Sequence, residues 1–475
     1  MDYPFIVHHG ATSGVSGSCH QLHLDATRSL LVDCGLFQGV ESCPAEGLGF
    51  TLGGVEALLV THVHLDHVGR IPALLAAGYE GPIICSEPSA ALLPIVLEDA
   101  FRLEISRNPA RVKRYVQQIE QAILPLPFGT WYDLVESAEL SCRVRLQPAG
   151  HVLGSAYIEC DVCDLATGSS QRIIFSGDLG SGRNPMLSAP VSPERADTLV
   201  LESTYGNRVH DSVNDRQQAL ERVIERALLD QGTILIPAFS VGRTQELLYE
   251  IEAILHRKSL VQAGGRTAEG PVDWPQLPVI LDSPLAGKMT RAYRQLNEFW
   301  SDCARQRLLE GRAPLGFSQL ISIETVAQHQ TVVNYLASTG RPAIVIAGNG
   351  MCSGGRIVNY LKAMLGSPRH EVVFTGYQAK GTPGAVIKAS EGASGFVKID
   401  LDAQMYEINA KVITLTGYSA HADQAGLLGF VSAMSGWPSK VVLVHGSEGD
   451  KQGLAAALQG LYRQAGKQVV TLIPS

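Results

Sequence analysis

Apolar positions in the first two hundred residues come in short runs separated by glycine-bearing turns, which is the pattern of strands rather than long helices. Strands are predicted at 19–25, 29–33, 57–61, 143–148, 155–162, 172–176 and 198–201. Two stretches with helical spacing interrupt them, near 71–77 and through 90–123. So many strands ahead of any strand–helix alternation predict packed sheets flanked by helices.

The rhythm changes after Tyr205. Leu220, Val223, Ile224, Ala227 and Leu228 follow helical spacing, and Gly232 stands where such a helix stops. A buried-type strand at 233–239 leads through Ser240-Val241-Gly242-Arg243 into a helix carrying Leu247, Leu248, Ile251, Ile254 and Leu255. The unit recurs as strand 279–281 with helix 288–300, then strand 343–347 with a glycine-rich turn and helix 357–365, then strand 371–375. Such alternation predicts a parallel sheet with its ligands at the carboxyl ends of the strands. The polar stretch 262–276 reads as a surface loop. From about residue 411 the chain returns to strands, at 412–415, 441–444 and 469–473, around one helix.

Composition narrows the class. At 475 residues the chain predicts two domains, one inserted into the other. Charged residues are only 18% and glycines number 48, which suits a compact, loop-rich α/β enzyme. No apolar run reaches membrane-spanning length, and Met1-Asp2-Tyr3-Pro4 lacks the basic and apolar regions of a signal peptide. The nine cysteines are odd in number, and the pair Cys160 and Cys163 has no second C-x-x-C to answer it, so reduced thiols in a cytoplasm are expected. A net charge of -8 argues against a broad, nonspecific grip on nucleic acid. A polyanionic substrate would need local positive charge, which bound metal can supply.

The strongest chemical signal is Thr61-His62-Val63-His64-Leu65-Asp66-His67, directly after an apolar strand. His62 and His64 share one side of an extended backbone, and the following turn can fold Asp66 and His67 towards a second point. Imidazoles and a carboxylate without thiolate form the ligand set of a catalytic zinc site with a position open for water. A solvated histidine-rich loop is the competing reading. It is outweighed because other strand exits carry matching groups, each beside glycine: His151, Asp178 and His445. Asp33, ending another apolar run, is placed to hold a ligand imidazole in its tautomer.

This H-x-H-x-D-H run, with His151, Asp178 and His445 following in that order, resembles the metallo-β-lactamase superfamily. The resemblance implies an αββα sandwich in which His62, His64 and His151 hold one zinc. Asp66, His67 and His445 would hold a second, with Asp178 bridging both and a water or hydroxide between the metals as nucleophile. Leu201-Glu202-Ser203-Thr204-Tyr205-Gly206 and Tyr418-Ser419-Ala420-His421-Ala422-Asp423 are similar to motifs of the β-CASP branch of nucleases, as are Ile236–Gln245 and Gly376-Tyr377-Gln378-Ala379. That branch carries an inserted Rossmann-like parallel-sheet domain. The implied layout is a first part at 1–205, an insertion at 206–408 covering the metals, and a last part at 409–475. Glu202, His421 and Asp66 are then the catalytic residues, His421 as the general acid on the departing 3′ oxygen and Glu202 orienting it. From the residues alone, His421 serves equally well as a turn-packing histidine.

Two strand-to-helix turns, at 240–243 and 348–356, are possible anion cradles, with Ser240, Arg243 and Ser419 the expected RNA-phosphate contacts. The Gly348-Asn349-Gly350 turn departs from the serine-bearing version in similar proteins, and the competing reading of Arg356 is a solvated helix residue. The functional expectation is a cytoplasmic, two-zinc ribonuclease acting on single-stranded RNA in processing or degradation, away from membranes, with a homodimer left open. Manganese or iron would accept the same ligands. The alternatives are a DNA nuclease of the same branch, a hydrolase of small thioester or lactone substrates, and a silent scaffold. A covering insertion suits a polymer better than a small substrate, and an intact ligand set argues against a scaffold.

Overall fold

The computed structural model describes residues 3–37, 47–210, 216–262, 274–393 and 396–474. The chain forms two compact units, one of residues 1–209 with 420–475 and one of residues 210–419.

In the first unit a six-stranded sheet and a seven-stranded sheet face each other. Alternation along the strands explains why. In Ser29–Val32, Leu30 and Val32 enter the core between the sheets, and Ala57 and Leu59 of Val55–Leu59 do the same. From the opposing sheet come Ile158, Cys160 and Val162, then Val200, then Val442 and Val444. The alternate residues Leu199, Leu201, Val441 and Leu443 point to the outer face, where they pack with Leu427, Phe430 and Val431 of helix Gln424–Ser432 and Leu454 and Leu458 of helix Glu448–Gln464. Both faces of these strands are buried, so they read as continuous apolar runs. Helix Glu87–Glu104 packs on the outer side of the six-stranded sheet, which completes a helix–sheet–sheet–helix sandwich.

The six-stranded sheet is more parallel than its sequence suggests. Strands Ser29–Val32, Val55–Leu59, Ile83–Ser86 and Ile123–Leu126 run in parallel, the last three joined by helices. The single helical stretch expected at 90–123 is two helices, Glu87–Glu104 and Pro109–Ala122, because Asn108 caps the second and Pro109 opens it.

The second unit holds six parallel strands in the spatial order Leu320–Ser322, Val279–Asp282, Ala343–Ala347, Thr233–Pro237, Glu371–Phe374 and Lys411–Thr414. The last of these corrects the expected layout. Lys411–Thr414 pairs with Glu371–Phe374 in this sheet, so the chain rejoins the first unit at Ala420 and not near residue 409. A short apolar run does not say which sheet it will join. Of the loop expected at 262–276, residues 263–273 lie outside the described residues, and Trp274–Gln276 is a 3-10 turn with Trp274 buried. Asp282 is the polar hub of this unit, accepting from His329 Nδ1 at 2.7 Å, Tyr360 Oη at 2.5 Å and Arg356 at 2.6 Å. Arg356 is therefore an anchor for the turn before it, and not a solvated helix residue.

Candidate active site

The register of the two sheets delivers the polar residues of the first unit to one edge. Phe175 pairs with Val200 and Glu202 with Val444, all in parallel, so Asp178, Glu202 and His445 leave neighbouring strands at the same level. In the facing sheet Val32 pairs with Leu59, which brings Asp33 beside Thr61 and His62. Close approach makes demands on the backbone. Gly177 has φ +51°, and a Cβ there would lie 2.7 Å from Thr61 Cβ. His445 itself takes φ +52°, a conformation a histidine adopts only when its surroundings fix it.

Two clusters result. His62, His64, His151 and Asp178 converge in one, and Asp66, His67 and His445 in the other. In the first, His62 Nε2 and His64 Nδ1 are 3.1 Å apart, and His151 Nε2 and His64 Nδ1 are 3.3 Å apart. Asp178 Oδ2 lies 3.5 Å from His62 Nε2 and 3.6 Å from His151 Nε2. Four ligands about 2.0–2.1 Å from a tetrahedral centre would be about 3.3–3.4 Å from one another, so these spacings fit one small cation. In the second cluster Asp178 Oδ1 is 3.4 Å from His67 Nε2, and Asp66 Oδ2 is 3.6 Å from His445 Nε2. The two oxygens of Asp178 thus face different clusters. His67 Nε2, His445 Nε2 and Asp178 Oδ1 are buried and make no hydrogen bond among the described residues. Leaving three such groups unpaired is costly unless a cation satisfies them, so the donor set fits two metal ions.

The far sides of the imidazoles are held. Asp33 Oδ2 accepts from His67 Nδ1 at 2.7 Å, and Asp33 also accepts from the Thr61 amide and hydroxyl, each at 2.8 Å. Thr61 Oγ1 is 3.2 Å from His62 Nδ1, and Thr204 Oγ1 is 3.1 Å from His445 Nδ1. These contacts turn the other nitrogens inward. Thr61 and Thr204 stand inside the quoted motifs, but the sequence reading gave neither a role.

Charge follows the same geometry. Burial holds His62 and His151 well below the ordinary imidazole range. For His67 and His445 burial acts in the same direction but is outweighed by Asp178, helped by Asp33 and Asp66 respectively, so both are raised. Asp178, despite burial, is held well below the carboxylate range by His445 and His67.

Glu202 and His421 form a third group with Asp178. Both Glu202 oxygens lie 3.2 Å from His421 Nδ1, and Glu202 is itself fixed by the Leu179 amide at 2.7 Å. Burial would lower the His421 pKa, but Glu202 and Asp178 outweigh it and raise it to about 9.

The expected phosphate contacts lie in the second unit. Ser240 Oγ is 3.1 Å from Ser283 Oγ, and Ser419 is half-buried. Arg243 is paired with Glu246, and its side chain is only 11% exposed. A phosphate would have to compete with that carboxylate, a constraint the strand–turn–helix pattern did not reveal.

Comparison with known proteins identifies the family. Residues 16–198 match the metallo-β-lactamase superfamily, 244–387 the β-CASP domain, and 405–472 the Zn-dependent metallo-hydrolase RNA specificity domain. Ribonuclease TTHA0252 of Thermus thermophilus is 36% identical over 444 residues, which cover 93% of either chain. Transcription termination factor FttA of Cenarchaeum symbiosum is 28% identical over 467 residues, covering 96% of this chain and 68% of that protein. FttA of Methanocaldococcus jannaschii is 28% identical over 468 residues, covering 96% and 69%.

Proposed function

Since the chain belongs to the metallo-β-lactamase superfamily, with a β-CASP domain, we propose that it is a metal-dependent ribonuclease hydrolysing phosphodiester bonds of single-stranded RNA in processing or degradation. The observation that carries this reading is Asp178 standing between two histidine-rich clusters, with the Glu202–His421 pair beside it. His62, His64, His151 and Asp178 would hold one zinc ion, and Asp66, His67, His445 and Asp178 the other. Bound there, such ions supply a water of lowered pKa and positive charge for phosphate oxygens.

The remaining work falls to the chain's own groups. Asp33, Thr61 and Thr204 fix the tautomers of the ligand imidazoles. Glu202 holds His421 Nδ1, which makes Nε2 the nitrogen that hands a proton to the departing 3′ oxygen. The similarity to a protein named as a ribonuclease, and the match to an RNA specificity domain at 405–472, favour RNA over DNA. A cytoplasmic setting accords with the free cysteines, among them Cys19, Cys34, Cys142 and Cys160. Among the described residues no helix is long and apolar enough to cross a membrane.

The test offers the purified protein labelled single-stranded RNA, DNA of the same sequence and a thioester. Metal-dependent cleavage of the RNA alone is expected. Equal cleavage of the DNA would move the protein to the DNA-cutting reading, and turnover of the thioester alone would overturn the nuclease assignment.

A further inference from the structure

Two stretches of the second unit, Ile236–Gln245 and Gly376-Tyr377-Gln378-Ala379, have no part in the metal clusters. Each leaves an aromatic side chain in water: Phe239 is 49% exposed and Tyr377 54%. They follow neighbouring strands of one parallel sheet. Leu235 of Thr233–Pro237 pairs with Val372 of Glu371–Phe374, and four residues further along either chain come Phe239 and Gly376, with Tyr377 next. Both residues therefore stand just beyond the carboxyl ends of the strands, where such sheets gather their ligands.

The backbone beneath the two rings is fixed. Thr244 Oγ1 donates to Phe239 O at 2.8 Å, and Gln245 Nε2 donates to Ser240 O at 3.1 Å. Gln378 Nε2 donates to Tyr377 O and to Gly350 O, each at 3.0 Å. Phe239 lies against Gly350, where a Cβ would come within 3.2 Å of its ring. A ring so held and still half in water contributes little to the core. Covering it would release that water with little further ordering of the chain.

Polar groups adjoin both rings. Ser240, whose hydroxyl is 3.1 Å from that of Ser283, follows Phe239, and Gln378 follows Tyr377. A flat group with an apolar face and a polar edge fits such surroundings better than an apolar protein surface does. A nucleobase is such a group, and every base has a face to stack. Stacking also needs no positive charge, which matters in a chain of net charge -8 whose Arg243 is already paired with Glu246. We propose that Phe239 and Tyr377 stack against bases of single-stranded RNA. This rests on the ribonuclease reading.

The experiment measures KM and kcat for Phe239→Leu, Tyr377→Leu and Tyr377→Phe on a single-stranded RNA, and on a series of the same RNA with one base removed at each position in turn. Leucine keeps apolar bulk and loses the aromatic face. Binding lost equally from ground and transition states raises KM and leaves kcat alone. Phe239→Leu and Tyr377→Leu are each expected to raise KM about five- to a hundredfold, with kcat and metal content near normal, and Tyr377→Phe to lose far less. For each leucine variant, one base removal that raises KM in the unaltered protein should have no further effect. Tyr377→Leu, at the more exposed ring, carries the test if Phe239→Leu does not fold. An unchanged KM in either folded leucine variant, or losses that remain additive with every base removal, would overturn the proposal while the unaltered protein still cleaves RNA. If the unaltered protein neither binds nor cleaves RNA, the ribonuclease reading falls, and this inference with it.

Discussion

In the proposed scheme Asp178 would bear on more of the chemistry than any other side chain, because its two oxygens face different histidine sets. Asp178→Ala is therefore expected to lose both metal ions, whereas His151→Ala should lose mainly one; metal analysis of the purified variants decides. Asp33 touches no substrate in this scheme and acts through His67 Nδ1. Asp33→Ala should cost about ten- to a hundredfold in metal affinity or activity, read by titrating stripped protein with zinc. His421→Ala should keep both metals and lose about a hundred- to ten-thousandfold in turnover, while His445→Ala should lose metal as well. The residues that converge in the two clusters were legible in the sequence because spacing and strand exits single them out. The threonine hydroxyls behind them were not, since a lone hydroxyl has no periodic signal. The pairing of Arg243 with Glu246, one helical turn away, was not legible either, because Glu246 looks in sequence like any helix residue.

Among the elements, Ser29–Val32 and Thr198–Glu202 of the first unit were readable as apolar runs set off from any helix. Ile83–Ser86 and Ile123–Leu126 were missed because each abuts a helix and is too short to display a period of its own. Lys411–Thr414 was found as a strand but placed with the wrong sheet, since pairing is a tertiary choice. The hub at Asp282 was invisible for the same reason, its partners lying 47, 74 and 78 residues away. It holds the carboxyl end of Val279–Asp282 to helices Val326–Thr339 and Arg356–Met364. Asp282→Ala leaves a buried histidine, a buried tyrosine and a half-buried arginine without this acceptor and is expected to destabilise by about 3–5 kcal/mol. Urea unfolding measures that loss, and a change below about 1 kcal/mol would show the hub to be dispensable. Metal content should be unaffected, because all ligands lie in the first unit.

For the molecule as a whole, charge and metal are linked. A net charge of -8 gives no general attraction for a polyanion, so two divalent ions would supply much of the positive charge that meets the phosphate. The same ions would tie together strands of both sheets in the first unit, so stripping them should lower that unit's thermal stability. A ligand at a thousand times its Kd contributes about 4 kcal/mol, enough for a clear shift in Tm by calorimetry. The second unit, with its own apolar core around Val345, Leu361 and Phe374, should melt unchanged. The most direct test of the two-metal ribonuclease is a titration: RNA cleavage by stripped protein, followed as zinc is added in known equivalents per chain. Activity should rise from nothing and level off at two equivalents. Cleavage by the stripped protein, or full activity at one equivalent, would contradict the account.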